Sequence, residues 1–419
     1  MFLAAAPYFA ARFSSNTWVS TNYQSSIISI STVANLLTTL ILAKLQSGAS
    51  YPFRIATALL VDIVCFTILA LSTVLFAGAS VTMYFVFVLT TVFITSVATG
   101  MLQNGTFAFA ASFGHPSYTQ AVMTGQAIAG VLPSIAQIVS VLAVPEKIRS
   151  ATKSHDKPHD TESEKAQATS ALIYFLTATF ISLATLLAFL PLVRRHATLN
   201  ARTHHLPSSV LNTTRRSSLP HLSLTRSIST LPDPSENTRK EISLPHLYRK
   251  LPLYSSAIFL TFCTTMFFPV YTAKIVSVRP QEQSGRLWHA AAFIPLAFLF
   301  WNTGDLIGRL ATLLPFSAKL SMRPTLLFIL SILRMGFIPL YLLCNLVDKP
   351  GGARVKSDLF YLVVVQFGFG FSNGWVASST MIGAAASVGE EEREATGGFM
   401  GFNLVAGLTV GSLMSFFAA

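Results

Sequence analysis

Long stretches with almost no charge constrain this chain more than any other feature. Ala58–Phe76, Tyr84–Ala98, Ala171–Leu192 and Tyr361–Gly370 carry hardly any ionisable residue. A helix needs about 20 mostly apolar residues to cross the hydrocarbon layer of a bilayer. Inside that layer only helices and closed barrels satisfy their own backbone polar groups. Charged residues make up 11% of the 419-residue chain, against roughly 25% in soluble globular proteins. A soluble α-protein with a buried core does not account for so much apolar length. The chain reads as an all-α polytopic membrane protein, with the lipid bilayer as its first partner.

Apolar runs between turn residues and charges predict helices over 1–13, 22–46, 53–77, 82–112, 117–144 and 167–193. Further helices are predicted over 252–276, 286–315, 323–347, 357–386 and 393–417. The expected organisation is a helix bundle over 1–193, a loop over 194–250 and a second bundle over 251–419. The first run is too short to span the bilayer. It also lacks the basic start and cleavage region of a signal peptide, so the first helix is expected to be incomplete.

Ten Lys and Arg between Arg194 and Lys250 face three acids, in a segment rich in Ser, Thr, Pro and His. Such composition is expected to be disordered, and the positive-inside rule places it on the cytoplasmic side. Counting helices from there puts the N-terminus inside and the C-terminus outside. Much of the formal charge of +12 belongs to this loop. Without an aromatic or fold motif beside it, that charge does not indicate nucleic acid. The pentapeptide SLPHL occurs at Ser218–Leu222 and again at Ser243–Leu247. RRSSL at Arg215–Leu219 is a candidate site for a basophilic kinase, because phosphate there would neutralise the neighbouring arginines.

Cys65, Cys263 and Cys344 fall in apolar segments without CxxC spacing, and no HExxH occurs. No metal, cofactor or disulfide is expected. No nucleophile–base constellation suggests an enzyme.

The costly exception to the apolar pattern is FWNTGDLIGR, residues 300–309. A charge at a helix centre costs about 2.5–3.5 kcal/mol on insertion scales. Asp305 and Arg309 lie four residues apart, which brings both side chains to one helix face, with the acid first as i,i+4 pairs prefer. Gly304 and Gly308 form a GxxxG pattern that permits close helix approach. Either the pair is structural, holding bundle halves together, or it also lines a solute pathway. Other helices contribute amides and hydroxyls: Gln103, Asn104 and Thr106; Gln126 and Gln137; Ser372 and Asn373 beside a Gly370–Gly374 pair. Together they suggest a polar central cavity.

These stretches resemble the equilibrative nucleoside transporter family over nearly the whole chain. The resemblance is carried by PYFAARF (Pro7–Phe13), LQNGTFAFAASFGHPSYTQAVMTGQAIAG (Leu102–Gly130), FWNTGDLIGR, FSNGWVAS (Phe371–Ser378) and GGFMGFNLVAGLTVGSLMSF (Gly397–Phe416). It implies a major-facilitator-like bundle of six plus five helices and facilitated movement of nucleosides, sometimes nucleobases, by alternating access. By motif position, Gln103 falls where the family binds the nucleobase. Asp305 and Arg309 fall on the pair that contacts ribose, with Asn302 one turn earlier. Phe268 and Leu408 match apolar lining or gating positions, and Leu3 and Leu36 match apolar contacts of the first two helices. The family's Trp-Asn pair would sit immediately before Met1. The rival readings are a major-facilitator-type carrier of another small solute and a non-transporting membrane protein.

Overall fold

Caps and prolines decide where the helices begin. The computed structural model describes residues 5–46, 49–76, 78–143, 160–204, 242–280, 285–347 and 352–417. Leu3, the RRSSL segment and the first SLPHL lie outside the described residues. Helix α1 spans Ala6–Arg12. The Asn16 side chain accepts a hydrogen bond from Val19 N and opens α2, Thr17–Lys44. Satisfying an orphan amide this way is what an N-cap does, and it starts α2 earlier than its apolar run alone suggests. Pro52 fits the first turn of α3, Tyr51–Leu75, where a missing N–H costs nothing. The Ser80 side chain caps α4, Val81–Ser112. Helix α5 runs Pro116–Ala143 and α6 Asp160–His204. Helix α6 continues well past the expected 193 because the Arg, Ala and Leu residues that follow are good helix formers.

After the loop, α7 (Leu244–Lys250) precedes α8 (Pro252–Thr265) and α9 (Phe267–Lys274). The single helix expected over 252–276 is thus interrupted at Met266. Pro269 explains the break, since it cannot donate to the carbonyl of Thr265 four residues earlier. Helix α10 spans Ala290–Ala311 and α11 Pro315–Ser321. The next crossing is likewise split into α12 (Pro324–Leu333), a 3₁₀ turn at Arg334–Gly336 and α13 (Phe337–Tyr341). Here Pro339 leaves the Met335 carbonyl without its partner. A π-helical segment, Phe360–Phe367, leads into α14, Gly368–Ala386, and α15 covers Arg393–Phe417. Among the described residues, ten helical segments are long and apolar enough to cross a membrane. The protein is an all-helical, multi-pass membrane protein.

Buried apolar residues show how the helices before the loop meet those after it. One cluster joins Phe107 and Met123 to Leu251, Tyr254, Ile258, Leu327, Met381 and Phe399. These sit at the helix ends nearest the central loop. At the opposite ends the apolar residues divide. Phe9, Phe13, Tyr23, Tyr84 and Phe175 form a cluster before the loop. Phe268, Phe293, Trp301, Tyr341 and Phe369 form another after it. On the loop side one continuous cluster therefore bridges the two helix sets, whereas on the other side each set packs within itself. Along one flank α5 and α10 pack antiparallel, with Gln120 beside Arg309 at one end and Val141 beside Arg286, in the 3₁₀ turn Arg286–Trp288 ahead of α10, at the other.

Candidate functional site

Glycines on two facing helices create the site. A Cβ at Gly304 would strike the Phe367 carbonyl, and one at Gly308 the Phe371 carbonyl. Reciprocally, Cβ atoms at Gly370 and Gly374 would strike the carbonyls of Trp301 and Asp305. The two GxxxG patterns therefore face each other, and α10 and α14 touch backbone to backbone. Small residues allow this closeness where lipid supplies no hydrophobic drive for helix association. It also delivers Asn373, next to Gly374, to the side chain of Asp305.

Asp305 and Arg309 are 3% and 4% exposed. Arg309 donates from Nε to Asp305 Oδ2 at 2.9 Å. Its Nη1 donates to the Met123 carbonyl at 2.6 Å and reaches Gln126 Oε1 at 3.3 Å on α5. Gln120 closes the seam by donating to the Arg309 carbonyl at 2.9 Å. The other carboxylate oxygen, Asp305 Oδ1, accepts from Asn373 Nδ2 at 2.7 Å. A buried pair offsets its desolvation only if its remaining donors and lone pairs are matched, and here each carboxylate oxygen has a partner.

The network continues to a residue that the sequence analysis passed over. Arg334, 2% exposed, donates from Nη1 to Asn373 Oδ1 and from Nη2 to Thr265 Oγ1, each at 3.2 Å. Its guanidinium also lies 4.9 Å from the centre of the Phe369 ring, a favourable cation–π placement. Thr265 Oγ1 stands 2.7 Å from Asn373 Oδ1. Arg334 and Thr265 sit at the two helix breaks, where prolines free the backbone for such approach. Two buried guanidiniums thus share one buried carboxylate, leaving one positive charge in excess. The signal was available: Arg334 is the lone charge in the apolar run Pro324–Tyr341.

Asn302 lies one turn before the charged pair and crosses to α5. It donates from Nδ2 to Ser134 Oγ at 3.1 Å and to the Phe298 carbonyl at 2.9 Å. Its amide occupies the space in front of Gly130. Phe268 stacks on Trp301 with ring centres 4.2 Å apart and planes 12° apart, and meets Phe298 edge-on. Leu36 and Leu408 both pack, partly buried, against the cluster that joins the two helix sets.

Gln103 is placed apart from the charged network. Its Oε1 accepts from Asn35 Nδ2 at 3.4 Å, linking α4 to α2 next to Leu36. Neighbouring Asn104 points elsewhere, accepting from Arg54 Nη1 at 2.8 Å. Arg54 also donates to the Leu42 and Leu45 carbonyls, capping the end of α2. The structure therefore gathers Asp305, Arg309, Asn373 and Asn302 along the α5–α10–α14 junction. Gln103, Leu36 and Leu408 lie toward α2, α4 and α15, and Phe268 lies at the α9 break. Among the described residues no group of His, Cys, Asp and Glu could hold a metal ion.

The chain is similar to several known proteins. The pattern of the nucleoside transporter family matches residues 88–419. The nucleoside transporter FUN26 of Saccharomyces cerevisiae is 30% identical over 99% of this chain and 80% of its own length. Equilibrative nucleoside transporter 1 of Rattus norvegicus is 25% identical over 89% of this chain and 77% of its own. Among solved structures, the major facilitator superfamily transporter FucP in its outward conformation aligns over 99% of this chain and 91% of its own. That alignment has 14% identity and a TM-score of 0.49. By the family match and by the extent of the yeast similarity, the chain belongs to the nucleoside transporter family.

Proposed function

We propose that this protein carries nucleosides, and also nucleobases, down their gradients across a membrane by alternating access. The reading rests on one observation above the others. The Asp305–Arg309 pair, with a partner on each carboxylate oxygen, sits at the seam between helices from both sides of the loop, where a rocking motion would make and break its contacts. In the occupied state the ribose hydroxyls would exchange hydrogen bonds with Asp305 and Arg309, while Asn302 orients the sugar edge. The base would lie toward Gln103, flanked by Leu36 and Leu408, with Phe268 and its Trp301 stack as an apolar wall. In an empty site Asp305 and Arg309 engage each other through their own hydrogen bonds, and a filled one replaces some of them. Gly304, Gly308 and Gly374, with Asn373, form the close helix contact over which the halves move. In this reading the carrier is shut on its loop side, which the apolar cluster joining both helix sets there supports.

In this reading the loop over 194–250 is cytoplasmic and a kinase substrate, and the host membrane is the plasma membrane or a vacuolar one. The activity is transport, with no covalent step. The test is uptake of labelled uridine or adenosine into proteoliposomes holding the full chain. Saturable uptake, lost in Asp305→Ala, is expected. Absence of uptake by the parent chain, or undiminished uptake by the variant, overturns the proposal.

A further inference from the structure

One acid in the membrane-spanning part of the chain takes no part in the site above. Asp62 is near the middle of α3, Tyr51–Leu75, ~16 Å from one helix end and ~20 Å from the other at 1.5 Å per residue. That depth is the bilayer midplane. Among the described residues, no cation or hydrogen-bond donor pairs with its carboxylate. An intramembrane acid without a partner is a functional position unless something compensates it.

Its surroundings are not apolar. Asp62 lines a cleft of about 430 Å³ between α2, α3 and α4, together with Ser31, Thr32, Thr95, Ser96 and Thr99. The hydroxyls fall into two chemical sets. Thr95 and Thr99 donate within α4, to the carbonyls of Thr91 or Val92 and of Thr95. Ser96 donates to the Val92 carbonyl at 2.6 Å or to Ser31 Oγ at 2.9 Å. Their unused lone pairs accept hydrogen bonds. Thr32 keeps a hydroxyl hydrogen that no described residue receives, and Ser31 keeps its own when Ser96 donates to it. A carboxylate needs donors, and a carboxylic acid needs an acceptor. This cleft supplies both.

We propose that the cleft is a reversible proton-binding site centred on Asp62, separate from the Asp305–Arg309 network. The ionised carboxylate accepts from Ser31 and Thr32. On protonation, the new O–H donates to a lone pair of Thr95, Ser96 or Thr99. The ligand is the proton rather than a divalent cation because Asp62 is the single carboxylate of the lining, with Ile27, Ile28, Phe66 and Val92 as its apolar wall. Hard divalent cations are instead held by several carboxylate and carbonyl oxygens. The other titratable groups on the packed elements stand away from the cleft lining. On α2 these are Tyr23 and Lys44, on α4 Tyr84, and on α1 Tyr8 and Arg12. Helix α6 has Tyr174 and otherwise carries charge only in its first six residues and from Arg194 onward. On α3 itself they are Tyr51, Arg54 and Cys65, the last absent from the lining but one helical turn from Asp62 and within reach of its charge. Because α4 also carries Gln103, protonation at Asp62 adjusts a helix of the transport path.

Infrared difference spectra of the full chain in lipid, between about pH 5 and about pH 8, read the proton directly. A carboxylic C=O band that titrates in the parent, vanishes in Asp62→Asn and survives in Asp305→Asn is expected. In Asp62→Glu the band returns at a shifted frequency. A titrating band unchanged in Asp62→Asn, or a carboxyl that never exchanges its proton, overturns the site. Uridine uptake with equal pH on both sides is expected to change about threefold between those pH values. Asp62→Asn should hold the acid-side rate throughout, as a mimic of the neutral acid. Uptake that follows replacement of sodium by choline, with no pH response, overturns the choice of the proton. The infrared readout needs no transport, so it stands apart from failure of the nucleoside reading.

Discussion

Arg334 donates to Asn373 Oδ1 at 3.2 Å, and because a guanidinium only donates, it fixes which end of that amide faces it. The amino end is thereby turned to Asp305 Oδ1. Thr265 Oγ1, 2.7 Å from the same amide oxygen, and the acceptor-only Asp305 carboxylate favour the same orientation, so losing Arg334 weakens the arrangement without reversing it. Arg334→Leu is expected to raise the KM for uridine about tenfold, the scale of one hydrogen bond to a charged group. Arg334→Gln, which keeps a donor, should recover part of the loss. Asn373→Leu should add little to Arg334→Leu, since both act through one contact. Initial uptake rates across a range of uridine concentrations check all three.

Two guanidiniums and one carboxylate make the charged residues unequal. Removing Asp305 strands both Arg309 and Arg334, whereas removing Arg309 leaves Asp305 still coupled to Arg334 through Asn373. Breaking a buried pair costs about 3–5 kcal/mol because a charge is left unmatched. Asp305→Ala is therefore expected to lower thermal stability in detergent more than Arg309→Leu. The double variant should be more stable than the two single losses added together predict. Melting curves of the purified variants measure this, and uptake should be lost in all three.

How much of this was legible in the sequence depends on whether the partners are neighbours along the chain. Asp305 and Arg309 sit one helical turn apart, so spacing alone put them on one face. Their GxxxG glycines were visible in the same ten residues. Arg334 was just as conspicuous, a single cation in an apolar run, but its partner Asn373 is 39 residues away and only packing brings them together. The breaks before Pro269 and Pro339 follow from proline chemistry, although apolar length alone reads through them. The π-helical turn at Phe360–Phe367 has no such cue. It buries Gln366, whose Nε2 donates to Thr272 Oγ1 and the Tyr361 hydroxyl, contacts that exist only in the folded bundle. Asp62 was hidden for the opposite reason, as one acid inside a run long enough to look uniformly apolar.

The α10–α14 contact makes a specific demand of Gly374. An added Cβ would meet the Asp305 carbonyl and lie 2.9 Å from Arg309 N, so the helices themselves must separate. Gly374→Ala is expected to cost about 1–3 kcal/mol, as overpacking typically does, and to disturb the pair along with the fold. Gly125, with nothing within 4 Å of an added Cβ, is the control. Gly125→Ala should be neutral or stabilise α5 by roughly 0.5–1 kcal/mol. Thermal melts of the two variants, run side by side, give the comparison.

Gly130 separates a role in transport from a role in folding. Its added Cβ would also meet an atom too closely, but that atom is Asn302 Oδ1, with Cγ at 3.1 Å. A side-chain amide can rotate away where a backbone carbonyl cannot. Gly130→Ala should therefore leave stability within about 1 kcal/mol of the parent, the range of tolerated small changes. The displaced Asn302 loses its hydrogen bond to Ser134 and no longer presents the same donors beside Asp305. If Asn302 orients the sugar, the KM for uridine rises severalfold while the melting temperature holds. The same variant should then transport a free nucleobase, which has no ribose, with little change. Uridine and uracil uptake measured on one preparation give the ratio. Equal losses for both solutes would show that Asn302 serves the helix seam rather than the sugar.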